Sequence, residues 1–245
     1  MRTQTRKKKT VPKNKKINDL ITVVLLCDNP GYRMKSYGPI SLIDIYSKKL
    51  IDLQIHAIKE RFENFEIVIC LGFDCEKVCK YIKSKYRDRI RIVENQLYNN
   101  TNSCESLRLC LNNINNDKIL ICDGNLLFTK NTLSHIDINK PNTLIEHTSN
   151  NTLEIGVNIN QRNIAQFFSF GAKHTWCEML FLTGSNIIES FRKILTNPNN
   201  KTRFVFEAIN ELISMNYEIK TIVNKSQLNK INNIKIYHNI KEVNK

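Results

Sequence analysis

Two segments of this chain have the right chemistry to act together on phosphates. Arg33 and Lys35 stand in "NPGYRMKSYGPISLI" (29–43), a turn around Gly31 placed directly behind the apolar run "ITVVLL". Backbone amides near such a glycine, with a guanidinium and an ammonium beside them, neutralise the oxygens of a triphosphate. Asp123 ends another apolar run, "KILICDG", and a carboxylate there would hold Mg2+ against the same phosphates. Taken singly, each is also what ordinary turns carry, exposed cations in one case and an Asp that caps the next turn in the other. The scaffold decides whether they meet.

That scaffold is legible in the alternation of segments. "ITVVLLC" (21–27) is short, β-branched and apolar on both faces, which predicts a buried strand. Residues 48–63 carry a broad apolar helical face. "FEIVICLG" (65–72) is the next strand, and "DCEKVCKYIKSKY" a helix with Asp74 placed to cap it. "RIRIVEN" (89–95), "SCESLRLCLNNI" (103–114) and "KILICDG" (118–124) continue as strand, helix and strand. Such a succession predicts a largely parallel sheet with helices on both faces. Ligands of open α/β sheets sit at the carboxyl ends of the strands, where residues 28–40 and 123–125 both fall. After residue 128 the pattern becomes strand-rich, with "NTLIEHTS", "LEIGVNINQRNIAQFFSFG" and "CEMLFLT", then the helices "SNIIESFRKILTN" and "RFVFEAINELISMN" and the strand "YEIKTIVN". We read one domain over 21–245 with two lobes, 21–128 and 129–245.

Charge is concentrated at one end. The net charge is +14, and eight of the 37 Lys and Arg precede the first acid, Asp19. Residues 1–20 therefore read as a basic, disordered tail, and residues 1–16 as the part that would touch nucleic acid or an anionic surface in a salt-sensitive way. No stretch reaches the roughly 18 apolar residues of a membrane span. "ITVVLLC" is too short for a secretory h-region, so a cytoplasmic (intracellular) location is expected. The eight cysteines form no C-x-x-C pair, which argues against a disulfide framework or a zinc site.

The order of the motifs resembles the nucleotidyltransferase family that makes activated sugars and CDP-choline. "NPGYRM" fills the place of that family's G-x-G-x-R-[ML], "PISL" that of P-K-x-L, and "KLIDLQIHAIKE" that of its "PLIEYQIEAL" helix. "YNNTNSCESL" (98–107) and "LICDGNLLF" (120–128) resemble the "Y-x-x-T-N-x-x-x-S-L" and "LIxDGDVLF" stretches of the phosphocholine cytidylyltransferase-like branch. Trp176 and Glu178 in "TWCEMLFL" and Glu207 in "FEAINELI" fall where that branch continues into its acceptor side. The resemblance implies a three-layer, Rossmann-like α/β fold of glycosyltransferase-A type with a mostly parallel mixed sheet. It implies transfer of a nucleotidyl group from a nucleoside triphosphate to a phosphorylated small acceptor, with Mg2+ as cofactor and pyrophosphate released. Under it, Asn29, Gly31, Arg33, Thr101, Asn102 and Ser106 line the nucleotide, Arg33, Lys35 and Asp123 assist the reaction, and Trp176, Glu178 and Glu207 face the acceptor. Asp123, Asn125 and His238 occupy the metal positions.

Four positions depart from the pattern. Asn29 replaces the first glycine, Ile40 the lysine of P-K, and Asn125 the second Asp of D-G-D, while "IYHNIKE" places His238 where the closing "E-I-D-T-x-E-D" element has an acid. Each lost charge-assisted contact costs about 1.5–3 kcal/mol, so two or three imply a loss of order 10³ or more. Lys35, Lys48 or Lys49 would have to supply the missing cation, and Asp28 or Asp44 a carboxylate. Two readings stay open: an active nucleotidyltransferase, or a degenerate relative that binds or scaffolds without turnover.

Overall fold

The computed structural model of the chain describes residues 20–31, 34–86, 90–146 and 153–242. Arg33 and the basic tail lie outside them. The elements are β1 (Ile21–Cys27), the short β2 (Asp44–Ile45) and β3 (Lys48–Lys49), α1 (Leu50–Arg61), β4 (Phe65–Leu71), α2 (Cys75–Lys85), β5 (Ile90–Glu94), α3 (Ser103–Leu111) and β6 (Lys118–Asp123). They continue with β7 (Leu126–Phe128), α4 (Lys130–Ser134), β8 (Asn142–Glu146), β9 (Ile155–Ile159), β10 (Ala165–Phe170), β11 (His174–Thr183), α5 (Ser185–Thr196), α6 (Val205–Ser214), β12 (Lys220–Val223), β13 (Leu228–Lys230) and α7 (Ile234–Glu242).

The main sheet runs β10-β9-β11-β6-β1-β4-β5, with β8 beside β11 and β12 beside β8. The strands β6, β1, β4 and β5 pair in parallel, as the β-α-β alternation requires. β11 joins β6 antiparallel, and this is where the strand-rich second half enters. The sheet is thus mixed, with a parallel half under the cleft described below. No helix among the described residues is long and apolar enough to cross a membrane.

β1 is buried along its whole length because both faces of the sheet are covered. Side chains alternate across a strand, so Val24 and Leu26 enter a core closed by α3, α5 and α6, including Leu107, Phe191 and Ile209. Val23 and Leu25 enter the opposite core, with Ile51, Ile55, Ile58, Val78 and Ile82 of α1 and α2. Cys27, Cys70 and Cys122 are buried, unpaired thiols within these strands.

A third, smaller core holds the segment after β1. Met34, Ile40, Ile43 and Ile45 pack with Leu50, Leu127, Ile231, Tyr237 and Ile240. That segment forms two 3₁₀ turns, Lys35–Tyr37 and Ile40–Leu42, which hydrophobic periodicity does not announce. Asp74 sits at the start of α2 in a left-handed conformation, and its side chain makes no capping bond. The expected Asp cap is therefore only positional.

Candidate functional site

The carboxyl ends of β1 and β6 open into a cleft of about 350 Å³. Its floor depends on a close approach of the two strand ends. The Gly124 amide donates to the Leu26 carbonyl at 2.8 Å, and a Cβ on Gly124 would lie 2.5 Å from the Cys27 Sγ. Gln54 of α1 is fully buried and clamps the same turn, its Nε2 donating to the carbonyls of Gly124 (3.1 Å) and Leu126 (2.8 Å). This glutamine is why the "LQIHAI" helix needs a polar residue on its buried face.

Three ionisable groups converge on the floor. Asp123 comes from the end of β6, Glu178 from β11 and Lys230 from the end of β13. Glu178 lies at an irregularity in the β11–β8 register between Trp176 and Leu180, with φ of +53°. A left-handed, non-glycine residue inside a strand is strained, and such bulges re-aim side chains at functional sites. Lys230 Nζ donates to Glu178 Oε1. Glu178 Oε2 is buried without a donor among the described residues, and the Glu178 carboxyl neighbours that of Asp123, a contact that becomes a hydrogen bond when the pair holds one proton. Burial, and next the Glu178 charge, push the Asp123 carboxyl up to about 7, against the opposing pull of Lys230. Burial likewise raises Glu178, with Lys230 again opposing.

A third carboxylate, Asp28, follows β1 and is only 7% exposed. Its Oδ2 accepts from the Ser106 hydroxyl at 2.8 Å, and Ser106 in turn accepts from Asn95 Nδ2 at 2.9 Å. Asn95 also donates to Thr101 Oγ1 at 3.0 Å. Burial raises Asp28, and the Ser106 bond works against it. Ser106 and Thr101 therefore brace the loop that leads into α3, while Asn102, which caps α3 by accepting from the Ser103 amide at 2.9 Å, lines the cleft itself.

The turn after β1 is closed on itself. Gly31 has φ of +77°, and its amide donates to Asn29 Oδ1 at 2.9 Å, so the Asn29 side chain already engages that amide. A Cβ on Gly31 would meet Ile40 Cδ1 at 2.4 Å. Ile40, in the lysine's place, thus has two jobs: it packs under Gly31 in the third core and shows one edge to the cleft.

The other candidate residues are placed as follows. Lys35 is exposed on the first 3₁₀ turn and is not among the residues lining the cleft, and Lys48 is exposed on β3. Lys49 pairs with Asp44 at 2.9 Å. Lys230 is the cation on the cleft floor. His238 lies exposed on α7, edge-on to Tyr37 with ring centres 6.3 Å apart, and does not reach Asp123. The closing segment beside the floor is instead Lys230-Ile231-Asn232, because Ile231 is anchored in the third core and its amide donates to the Asn125 carbonyl at 3.0 Å. Asn125 Nδ2 donates to Asn232 Oδ1 at 3.0 Å. Glu207 accepts from the Phe204 amide at 2.8 Å and pairs with Arg203, an N-terminal brace of α6 rather than a cleft residue. Trp176 is mostly packed, donating to Thr143 Oγ1 at 2.7 Å and meeting Phe168 edge-on, but it lines a small apolar recess beside Asp123 and Glu178. Phe170 (55% exposed) and Phe204 stand at the mouth of the cleft.

Sequence reasoning missed Lys230, Asn232, Gln54 and the two phenylalanines. The available signal for the first two was "KINN", an apolar residue between polar ones directly after a short strand.

Compared with known proteins, residues 43–153 match the model of a Domain of unknown function (DUF6564). No curated protein matches the chain. Solved structures match nearly all of it. The CTP:phosphocholine cytidylyltransferase from Streptococcus pneumoniae superposes with a TM-score of 0.74 at 17% identity, covering 92% of this chain and 99% of its own. The inositol-1-phosphate CTP transferase from T. maritima gives 0.71 at 13%, covering 91% and 96%. A nucleoside-diphosphate-sugar pyrophosphorylase from Vibrio cholerae RC9 gives 0.69 at 10%, covering 90% and 99%. At these identities the likeness establishes the fold, the Rossmann-like α/β fold of nucleotidyltransferases.

Proposed function

We propose that the chain transfers a nucleotidyl group from a nucleoside triphosphate to a phosphorylated small acceptor. The observation that carries this reading is the convergence of Asp123, Glu178 and Lys230 on one cleft at the carboxyl ends of β1 and β6. An acceptor phosphate oxygen forms the new bond to the α-phosphorus, and the bond to the pyrophosphate oxygen breaks. Residues 21–128 supply the nucleotide side and residues 129–245 the acceptor side. On the nucleotide side, Asn102 borders the bound group, and Arg33 follows Gly31 by two positions in the sequence. On the acceptor side, Trp176, Phe170 and Phe204 form an apolar, aromatic border, and Glu178 presents charge to it. Lys230 neutralises phosphate oxygens in place of the lysine absent at position 40, reaching the cleft from β13.

Oxygen donors suit the Mg2+ that the resemblance implies. The Asp123 carboxylate and the buried Asn125 Oδ1 and Glu178 Oε2, both without hydrogen-bond donors among the described residues, form an oxygen-only set of the kind Mg2+ takes together with substrate phosphates. When bound, the ion would neutralise charge on the phosphates. Asp123 must be ionised to hold it.

A second reading, nucleotide binding without turnover, is favoured by two observations. Asn29 has engaged the Gly31 amide, and Asn125 and Asn232 face one another as neutral amides. One experiment separates the two. Pyrophosphate release is measured with CTP, UTP, dTTP, ATP and GTP, Mg2+ and phosphorylated sugars or phosphocholine, alongside thermal-shift titration of the same nucleotides. Release that Asp123→Ala abolishes supports transfer. Thermal stabilisation with silence across the panel supports the binding module, and neither signal overturns both.

A further inference from the structure

On the far side of the cleft wall lies a groove of about 580 Å³, within the range of small-molecule sites. Its walls come from the 37–44 segment, α2 and α7. Lys77 and Lys80, three apart on α2, point the same helical face into it with Tyr81. Lys49 enters from β3. The acid in the lining, Asp44, is already paired with Lys49 at 2.9 Å. Asp52, behind the groove, is taken by Lys85 and by the hydroxyls of Tyr81 and Tyr86. Lys77 and Lys80 have no ion pair among the described residues, so the groove carries two uncompensated ammonium groups. Lys77 Nζ lies 3.6 Å from where a Cβ on Gly38 would be, so this charge sits against the 35–38 turn rather than in open solvent.

Beside the two cations is a flat surface. Tyr37 is 43% exposed, and its ring is held edge-on by Tyr237 at 5.7 Å. A ring fixed by its neighbours loses little freedom when a second ring stacks on it, and stacking on an aromatic side chain is worth about 1–3 kcal/mol. Lysine ammonium groups recognise phosphate as point charges.

We propose that this groove is a second binding site, for a small phosphorylated molecule that carries a flat ring: Lys77 and Lys80 take the phosphate and Tyr37 the ring. One short segment borders both the groove and the cleft. Pro39, Leu42 and Ile43 line the groove, whereas Ile40 and Ser41 line the cleft. The assignment is independent of whether the cleft performs transfer.

The test is calorimetric titration of the full chain with nucleoside monophosphates, ribose 5-phosphate and pyrophosphate. Lys77 and Lys80 are exposed, so the double variant Lys77→Glu/Lys80→Glu keeps the fold, which circular dichroism verifies. A nucleoside monophosphate is expected to bind at least tenfold more weakly to that variant, and at least threefold more weakly to Tyr37→Ala. Asp123→Ala, which alters the cleft alone, leaves this binding in place. Unchanged affinity in the lysine variant overturns the site. Pyrophosphate or ribose 5-phosphate binding as tightly as the nucleotide overturns the ring assignment. Failure of the cleft to release pyrophosphate bears on neither result.

Discussion

Asn125 donates its side-chain amide to the side-chain carbonyl of Asn232 across 3.0 Å, joining the turn after β6 to the segment after β13. Asn125 stands where the resembled pattern has the second Asp of D-G-D, and Asn232 meets it as a second neutral amide. The bond ties two segments of the cleft floor together without placing charge there.

Placing acids at both positions tests what the neutral pair does. Asn125→Asp/Asn232→Asp is expected to bind Mg2+–nucleotide more tightly by roughly tenfold or more per carboxylate, at about 1.5–3 kcal/mol for each charge-assisted contact. Without metal the variant should melt at a lower temperature than the parent, since two carboxylates replace a hydrogen bond. Calorimetric titration with a non-hydrolysable triphosphate, with and without Mg2+, measures both effects.

Lys230 keeps two neighbouring carboxylates tolerable. Lys230→Met preserves side-chain length and removes the charge, leaving Glu178 buried and unpaired. Breaking such a pair costs about 3 kcal/mol. Urea denaturation at pH 8 should show that loss, and at pH 5 most of it should return as the Asp123–Glu178 pair takes up a proton.

The raised Asp123 carboxyl sets a pH window. Its folded value of about 7 exceeds the ordinary Asp value of about 3.9 in an unfolded chain, so the folded state binds this proton more tightly. The stability it contributes is fully present below about pH 4 and is lost as pH rises toward 7. Wild type is therefore expected to lose more urea resistance between pH 5 and pH 7.5 than Asp123→Asn does. Mg2+–nucleotide affinity should run the other way, rising as pH passes through 7.

Ile40→Lys asks whether the missing cation can be put back. The side chain belongs to the third core but borders the cleft, so a lysine can lay its stem over Met34 and direct its ammonium to the phosphates. Loss of apolar packing should lower stability by about 2 kcal/mol. Triphosphate affinity should rise about tenfold. A thermal melt and a titration on the same preparation read the two changes.

The parallel half of the sheet was legible because its strands are buried on both faces, so "ITVVLLC", "FEIVICLG" and "KILICDG" are apolar throughout and bounded by polar turns. Asp123 followed from that reading, being the polar residue at a strand's end. Glu178 was named from resemblance; its bulge was not visible, because a left-handed conformation inside "WCEMLFL" leaves no mark in an apolar run. Lys230 and Asn232 were hidden for a different reason. They reach the cleft from a three-residue strand that pairs with β7, and pairing between segments about 100 residues apart has no local pattern. His238 was misplaced by the same shortfall. The closing motif matches "IYHNIKE", which begins five residues beyond Ile231, the residue that fixes the chain beside the floor.

The third core has a consequence for how this molecule comes apart. The cleft floor is secured by the two large cores of the sheet, whereas the 34–45 wall is secured by Leu50, Leu127 and the last sixteen described positions around Ile231, Tyr237 and Ile240. The wall and α7 therefore form one exchange unit: amides of Leu42 and Ile43 should gain deuterium in step with that of Tyr237, well before those of β1. Shortening the chain ahead of α7 would loosen the 34–45 wall from behind while leaving the sheet folded, so α7 governs the order of a cleft wall that precedes it by most of the described chain.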